Sequence, residues 1–308
     1  MKNKHNLIVI LGPTASGKTT ISAHLAKKID GEIISADSRQ VYKRMDIGTG
    51  KDYDDYKIDG MEIPVHLIDI KEPGYKYNVY EYQTDFFKTY EEIRKRGKFP
   101  IMCGGTGLYI EAVLQRFKMI HVPSDPELRN SLKGKNLNEL EEILSHYRKL
   151  HNKTDTDTIK RAVRAIEIEK YYENHPEIKV DLPELNPLLI GVNIDREHRR
   201  EKINLRLKER LKSGMVEEVE NLIKEGITPE NLIYYGLEYK FVTQYLTGQL
   251  KYDEMVNLLN IAIHQFAKRQ MTWFRRMERN GFQINWIDSS LSIEEKIQLI
   301  CNKFSSLY

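Results

Sequence analysis

Short apolar runs alternate with stretches of helical periodicity along the first third of the chain. Continuous apolar runs bounded by polar residues are typical of buried strands. The four candidates are residues 6–11, 32–36, 65–70 and 99–103. Residues 19–29 and 80–96 instead carry apolar side chains at helical spacing. Strands that alternate with helices predict a parallel sheet whose two faces are covered.

The middle of the chain has a different pattern. Between residues 112 and 187 strand-like runs are scarce and charges are dense, and two segments, 137–150 and 158–172, have the periodicity of amphipathic helices. Strand-like sequence returns at 188–194, and helices follow, with a last apolar run at 282–287 before a terminal helix. The predicted class is therefore α/β. Residues 1–111 and 188–308 would form the core and its helical C-terminal region, and 112–187 a helical insertion.

Composition limits the function classes. Hydrophobic residues make up 40% of the 308 residues and charged residues 30%, with a mean hydropathy of −0.55, which is typical of a globular domain and not of a membrane protein. Cys103 and Cys301 form no CxxC pair, which excludes a cysteine-based zinc site. The formal net charge is only +3, so nucleic-acid binding would need local basic patches. We expect a soluble monomer of a reducing cytoplasm.

The sequence GPTASGKT at 12–19 fits the phosphate-loop pattern G-x-x-x-x-G-K-[ST]. Backbone N–H groups around the glycines converge on phosphate oxygens, and the N-terminus of the following helix adds positive potential. Lys18 supplies a point charge, and the Thr19 hydroxyl can reach a metal such as Mg²⁺. The core is therefore predicted to be P-loop NTPase-like. The predicted diphosphate-binding residues are Gly12, Pro13, Thr14, Ala15, Ser16, Gly17, Lys18 and Thr19.

Three further motifs follow predicted strands, where open α/β sheets bind their ligands. SADSRQVY at 35–42 offers Asp37 as a base or a metal partner. GGTGLY at 104–109 offers the Thr106 hydroxyl, and its three glycines would permit close backbone approach to a ligand. Asp69, near the end of the third apolar run, is placed like a Walker B acid.

The phosphate loop alone leaves several functions open. A small-molecule kinase would use the same loop with an acidic base, and a protein that only binds phosphates would need little else. Residues 152–155 (NKTD) match the guanine-reading pattern of GTPases, but they follow a charged segment and the chain contains no DxxG switch.

The motifs taken together resemble one family, the tRNA dimethylallyltransferases, also called the tRNA isopentenyltransferases. The resemblance continues beyond the core with RAVRAIE at 161–167, INLRLKERLKSGMVEEV at 203–219 and AKRQMTWFR at 267–275. It implies Mg²⁺-assisted transfer of a dimethylallyl group from dimethylallyl diphosphate to N6 of adenosine-37, beside the tRNA anticodon. Adenylate isopentenyltransferases, which act on free nucleotides, are the alternative. The insertion and the AKRQMTWFR segment favour tRNA.

The resemblance also implies a role for each motif residue. Asp37 would be the general base, Thr106 would contact the bridging oxygen of the diphosphate, and Lys18 and Arg206 would stabilise its charge. The residues expected to contact tRNA are Asp37, Ser38, Arg39, Gln40, Arg161, Arg164, Lys268, Arg269 and Arg275. Basic side chains beside Trp273 in the last group suit a phosphate backbone and unstacked bases.

The sequence departs from the family pattern at elements expected to face the tRNA. Asp157 and Thr158 stand where an Asn-Asp pair is frequent, and His264 stands where an arginine is usual. The stretch 235–239 reads YGLEY instead of the usual IGYKE, so Tyr235, Leu237, Glu238 and Tyr239 all differ.

Overall fold

The computed structural model describes residues 5–148, 156–178 and 180–305. The chain divides into two compact units, one formed by Met1–Arg116 with Pro183–Tyr308 and the other by Phe117–Leu182. We refer to them as the core unit and the small unit. No described helix has both the length and the apolar character needed to cross a membrane.

A six-stranded parallel sheet forms the centre of the core unit, in the order β5-β2-β6-β1-β7-β8. The strands of this sheet are β1 (Leu7–Leu11), β2 (Gly31–Ala36), β5 (Val65–His66), β6 (Phe99–Gly104), β7 (Pro187–Asn193) and β8 (Ile284–Asp288). A separate antiparallel hairpin consists of β3 (Lys57–Ile58) and β4 (Met61–Glu62). Strands β1, β2 and β6 are buried along their whole length, which explains their continuous apolar sequences. The predicted α/β class with a parallel core is confirmed.

The predicted strand 65–70 is wrong beyond its second residue. Only Val65 and His66 pair with β2, at the edge of the sheet. The next residues cannot continue a strand, because Leu67 and Asp69 have φ angles of 62° and 56°.

Helices cover both faces of the sheet and form the C-terminal region. In the core unit they are α1 (Lys18–Ile29), α2 (Val79–Lys95), α3 (Gly107–Leu114), α7 (Arg196–Lys212), α8 (Met215–Lys224), α9 (Pro229–Tyr235), α10 (Leu237–Leu246), α11 (Tyr252–Arg279) and α12 (Ile293–Ser305). Residues 112–116 of the predicted insertion belong to this unit. Helix α3 packs on α2, with the Tyr82 and Tyr109 rings stacked 4.0 Å apart.

The small unit contains α4 (Pro126–Ser131), α5 (Leu137–Tyr147) and α6 (Ile159–Asn174). Its own apolar cluster forms where α5 and α6 face each other, through Leu140, Leu144 and Ile166. Asn136 begins α5 with a capping box, which satisfies two backbone donors of the first turn. The end of the predicted helix 137–150 and the NKTD segment at 152–155 lie outside the described residues.

Candidate functional site

The GPTASGKT motif is the turn between β1 and α1. Ala15 and Gly17 have φ angles of 62° and 81°, so the backbone curls before the helix begins at Lys18. The Lys18 ammonium donates to the Pro13 carbonyl at 3.4 Å. Burial lowers the pKa of Lys18, and the nearby Cys103 and Asp37 oppose that shift. A half-buried cation at the base of such a turn is suited to an anionic ligand.

This turn opens into a cavity of about 300 Å³. Its charged lining consists of five cationic side chains and two carboxylates, which makes the cavity attractive to a polyanion. These are Lys18, Arg39, Arg206, Arg210 and Arg269, with Asp37 and Glu238. The cavity also brings together Thr14, Thr19, Ser38, Gln40 and Thr106 from the predicted set.

Asp37 follows β2 and is held by its own turn. Its Oδ1 accepts from the backbone N–H groups of Arg39, at 2.8 Å, and Gln40, at 3.4 Å. Within the described part of the chain Oδ2 has no hydrogen-bond partner. The carboxylate is thus oriented by one oxygen while the other remains available to accept a proton.

Thr106 joins the loop after β6 to the loop after β2. Its backbone N–H donates to the Ala36 carbonyl at 3.1 Å, and its Oγ1 accepts from the Ser38 backbone N–H at 3.0 Å. The hydroxyl predicted to contact the diphosphate is therefore positioned from the turn that carries Asp37.

The glycines of GGTGLY serve contacts within the protein. An added Cβ would lie 2.3 Å from the Ala36 carbonyl oxygen at Gly104, from Gln270 Nε2 at Gly105 and from Trp273 Cδ1 at Gly107. These contacts give the three glycines a role within the protein, and because Gly104 also lines the cavity, close backbone approach to a ligand stays a prediction. They allow β2 and α11 to approach the loop closely.

Gln270 of α11 connects the two glycine-containing loops and was not singled out from the sequence. Its Oε1 accepts from the Thr14 N–H at 2.8 Å, and its Nε2 donates to the Gly105 carbonyl at 3.0 Å. The side chain is only 7% exposed. Helical spacing could have revealed it, since Gln270 shares the buried face of α11 with Ala267 and Phe274.

Two arginines one helical turn apart on α7 enter the cavity. Arg206 forms an ion pair with Asp52, and Arg210 lies 3.5 Å from Glu238. Burial lowers the pKa of Arg210 and raises the pKa of Glu238. Arg210 was missed in the sequence, although its four-residue spacing from Arg206 places both on one helix face.

Comparison with known proteins shows the family to which this chain belongs. The IPP transferase family model matches residues 40–277, more than half of the chain, and the isopentenyl transferase model matches residues 5–62. The chain belongs to the IPP transferase family. The resemblance recognised in the sequence is confirmed.

Named relatives of this family member cover nearly its whole length. It is 63% identical to tRNA dimethylallyltransferase 1 of Parabacteroides distasonis, over 95% of each chain. It is 61% identical to tRNA dimethylallyltransferase 2 of Bacteroides fragilis strain ATCC 25285, over 97% of this chain and 98% of the relative. The crystal structure of the tRNA isopentenylpyrophosphate transferase from Bacillus halodurans is 33% identical, with a TM-score of 0.72, over 98% of this chain and 96% of that one.

The predicted Mg²⁺ site of the IPP transferase fold fits the oxygens present. Thr19 lines the cavity at the N-terminus of α1, and Asp37 lines the same cavity. The described residues contain no cluster of three or more His, Cys, Asp or Glu side chains that could hold a metal. Mg²⁺ often uses one or two protein oxygens and completes its shell with phosphate oxygens and water. A Thr19 hydroxyl beside a bound diphosphate meets that requirement.

Asp69 does not act as a Walker B acid in this fold. Its carboxylate accepts from Lys51 and from the Tyr53 hydroxyl, and it is not among the residues that line the cavity. Lys51 is buried and also pairs with Asp46 at 2.8 Å. Asp69 therefore holds Lys51 and the first residue of the 3-10 turn Tyr53–Tyr56.

The residues predicted to contact tRNA occupy three places. Ser38, Arg39 and Gln40 line the cavity. Along exposed positions of α11 lie Lys268, Arg269 and Arg275, which have no ion-pair partner within the described ranges.

The other two predicted tRNA contacts, Arg161 and Arg164, lie on α6 of the small unit. Arg161 pairs with Asp157 at 2.7 Å. Arg164 contacts Glu167 and donates to the Val122 carbonyl at 2.8 Å. Arg164 thus holds its own unit together, whatever else it binds.

Proposed function

We propose that this chain transfers the dimethylallyl group of dimethylallyl diphosphate to N6 of adenosine-37 in tRNA and releases diphosphate. One observation carries the proposal. The GPTASGKT turn and two half-buried arginines, Arg206 and Arg210, share a cavity with the Asp37 carboxylate, whose Oδ2 is unpaired among the described residues. Curated relatives above 60% identity bear the name of this activity.

Asp37 supplies the base in this proposal. The N6 amine of adenine is a weak nucleophile because its lone pair is delocalised into the ring. As N6 bonds to the allylic carbon, the carbon–oxygen bond to diphosphate breaks and Asp37 Oδ2 takes the amine proton. A positioned general base of this kind typically contributes about 10²- to 10⁴-fold in rate.

Other groups of the cavity lining would stabilise the leaving group. Lys18, Arg206 and Arg210 line the cavity, and with the N–H groups of the turn they would offset the charge that develops on diphosphate. The Thr106 hydroxyl would donate a hydrogen bond to the bridging oxygen. When bound at Thr19, Mg²⁺ would neutralise part of the diphosphate charge.

A basic groove outside the cavity favours RNA over a free nucleotide. Arg196, Arg199 and Arg200 at the start of α7 face His264 and Lys268 of α11 across this groove. The four Arg and Lys side chains have no ion-pair partner within the described ranges. Burial lowers the pKa of His264, and the neighbouring arginines lower it further. Cations without acidic partners suit backbone phosphates, whereas AMP would occupy only the cavity.

The decisive experiment offers both acceptors to one preparation. Purified protein would be incubated with Mg²⁺, labelled dimethylallyl diphosphate, bulk tRNA and AMP, and the modified nucleoside identified after digestion. We expect label on the adenosine beside the anticodon. Label on AMP alone would instead establish the reaction of an adenylate isopentenyltransferase, which acts on free nucleotides. Transfer of phosphate from ATP, with no prenyl transfer, would establish a kinase.

A further inference from the structure

Tyr234 is an exposed aromatic side chain at the edge of the cavity. It is 46% exposed at the end of α9, and its hydroxyl has no hydrogen-bond partner in the described part of the chain. The next residue, Tyr235, lines the cavity, and the two rings meet edge to face with centroids 5.8 Å apart. Tyr234 is thus a partly exposed aromatic ring beside the cavity.

Two cations flank this ring. The Lys76 ammonium lies 5.4 Å from the ring centroid, and the Arg39 guanidinium lies 5.9 Å from it. Arg39 belongs to the same turn as Asp37 and lines the cavity. We call Arg39, Lys76 and Tyr234 the rim cluster. An aromatic face between cations is the arrangement that binds unstacked bases and their phosphates.

The position of α9 is held by the residue next to Tyr234. The Tyr235 hydroxyl accepts from the Gly74 N–H at 2.5 Å and donates to the Tyr75 carbonyl at 3.2 Å. These bonds connect α9 to the loop that carries Lys76. The rim cluster is therefore an ordered surface before any ligand arrives.

We propose that Tyr234 stacks on a base next to the target adenosine in RNA, and that Arg39 and Lys76 contact the adjoining phosphates. The inference rests on the proposed function. A base that enters the cavity leaves the loop stack, so its neighbours lose a stacking partner at a cost of a few kcal/mol. An exposed ring beside the cavity replaces that partner and stabilises the extruded state.

The test compares Tyr234→Ala, Tyr234→Phe and a matched control. Tyr252 is the control, since it is 44% exposed at the start of α11. At about 1.5 Å per residue it lies about 27 Å along that helix from the cavity residue Gln270. Affinity for an anticodon stem-loop RNA would be measured by fluorescence anisotropy, and transfer from dimethylallyl diphosphate in the same preparation.

We expect Tyr234→Ala to weaken RNA binding by about 5- to 150-fold, the contribution of one base–aromatic stack. Tyr234→Phe keeps the ring and should bind within about threefold of the wild type. Tyr252→Ala should bind unchanged, and affinity for inorganic diphosphate should be the same in all variants.

A second RNA separates stacking from a structural effect. Two RNAs would each carry one abasic site, on one side or the other of the target adenosine, and each should bind the wild type more weakly than the intact RNA does. One of these two RNAs should bind the Tyr234→Ala variant as tightly as the intact RNA binds that variant. Equal penalties in both proteins, or wild-type affinity for Tyr234→Ala, would overturn the stacking proposal. Absence of prenyl transfer by the wild type would instead overturn the proposed function.

Discussion

At the scale of single residues, the site depends on which atoms are already engaged. Asp37 uses one carboxylate oxygen to form its own turn and leaves the other available. Lys18 is kept at the bottom of the cavity by a contact with the loop it serves. Each residue can therefore be tested by a change that preserves its shape.

Asp37→Asn should reduce turnover by about 10²- to 10⁴-fold, because the amide keeps the Oδ1 acceptor but cannot take a proton. Single-turnover transfer to tRNA measures this, beside tRNA affinity, which should change little. The exposed Asp59 has a φ angle of 52°, which asparagine tolerates, so Asp59→Asn is a suitable control. Turnover near that of the wild type would remove Asp37 from the role of base.

Lys18→Met should weaken binding of inorganic diphosphate by about 10- to 150-fold, the loss of one charge-assisted hydrogen bond of about 1.5–3 kcal/mol. Isothermal titration calorimetry in the presence of Mg²⁺ measures it. Lys28→Met, at an exposed position of the same helix, provides the control. Equal affinities for the two variants would mean that the diphosphate lies elsewhere.

At the scale of elements, α11 contacts two loops that line the cavity and also carries exposed cations. Gln270 and Trp273 contact the loop after β6, and Gln270 also reaches the phosphate-binding turn. Helix α6 acts similarly in the small unit, where buried Glu167 accepts from Arg129 at 2.9 Å and from Arg164. Both helices combine an internal polar contact with a basic exposed face.

Gln270→Ala should cost about 1–3 kcal/mol of unfolding free energy, because the Thr14 N–H and the Gly105 carbonyl lose their partner. Turnover should fall as well, since both loops line the cavity. Urea unfolding and steady-state kinetics would be compared with Asn257→Ala, an exposed position on the same helix. A variant as stable and active as this control would show that the connection is dispensable.

Glu167→Gln tests the ion pairs of α6 through pH. Burial alone would raise the pKa of Glu167, but hydrogen bonds from Arg129, the Asp125 N–H and Arg164 outweigh it, so the pKa is lowered. A carboxyl group whose pKa is lowered by folding stabilises the folded protein at pH values above its ordinary pKa, near 4.5. That stabilisation is lost as the pH falls through the lower pKa of the folded state.

The variant should therefore unfold more easily at pH 7, by about 1–3 kcal/mol, and lose less stability than the wild type on acidification. Urea unfolding of both proteins from pH 7 down to about pH 3 measures the difference, because the effect is lost below the ordinary value near 4.5. Parallel pH profiles would contradict the ion-pair account.

At the scale of the whole molecule, charge is local although the net charge is small. The mild excess of +3 conceals a groove of arginines and lysines between α7 and α11 and a cationic cavity lining. Such local fields guide a polyanion without making the whole surface basic. The proposed RNA partner can be tested at this scale by its salt dependence.

Lys268→Ala should lower the magnitude of the salt slope of tRNA binding by about 0.7–0.9, the effect of one lost phosphate contact. The dissociation constant would be measured across a salt series, and the substitution should raise it by a similar factor for all tRNA sequences. Lys88→Ala, an exposed lysine on α2, is the control. A slope equal to that of this control would place Lys268 outside the RNA interface.

The sequence by itself determined the elements whose causes are local. Continuous apolar runs identified β1, β2, β6 and β7 to within a residue or two, because strands buried on both faces consist mainly of apolar residues. The phosphate-binding turn could also be predicted, because its glycines and the first residue of the helix follow one another in the chain.

The tertiary structure alone decided the contacts between distant segments. Gln270 lies 256 residues from Thr14, and no periodicity indicates that they share a hydrogen bond. The same holds for Trp273 beside Gly107 and for Arg39 beside Tyr234. Helical or strand spacing indicates which face of an element is buried, whereas tertiary packing determines which residues that face contacts. The candidate site is formed by such contacts between distant segments.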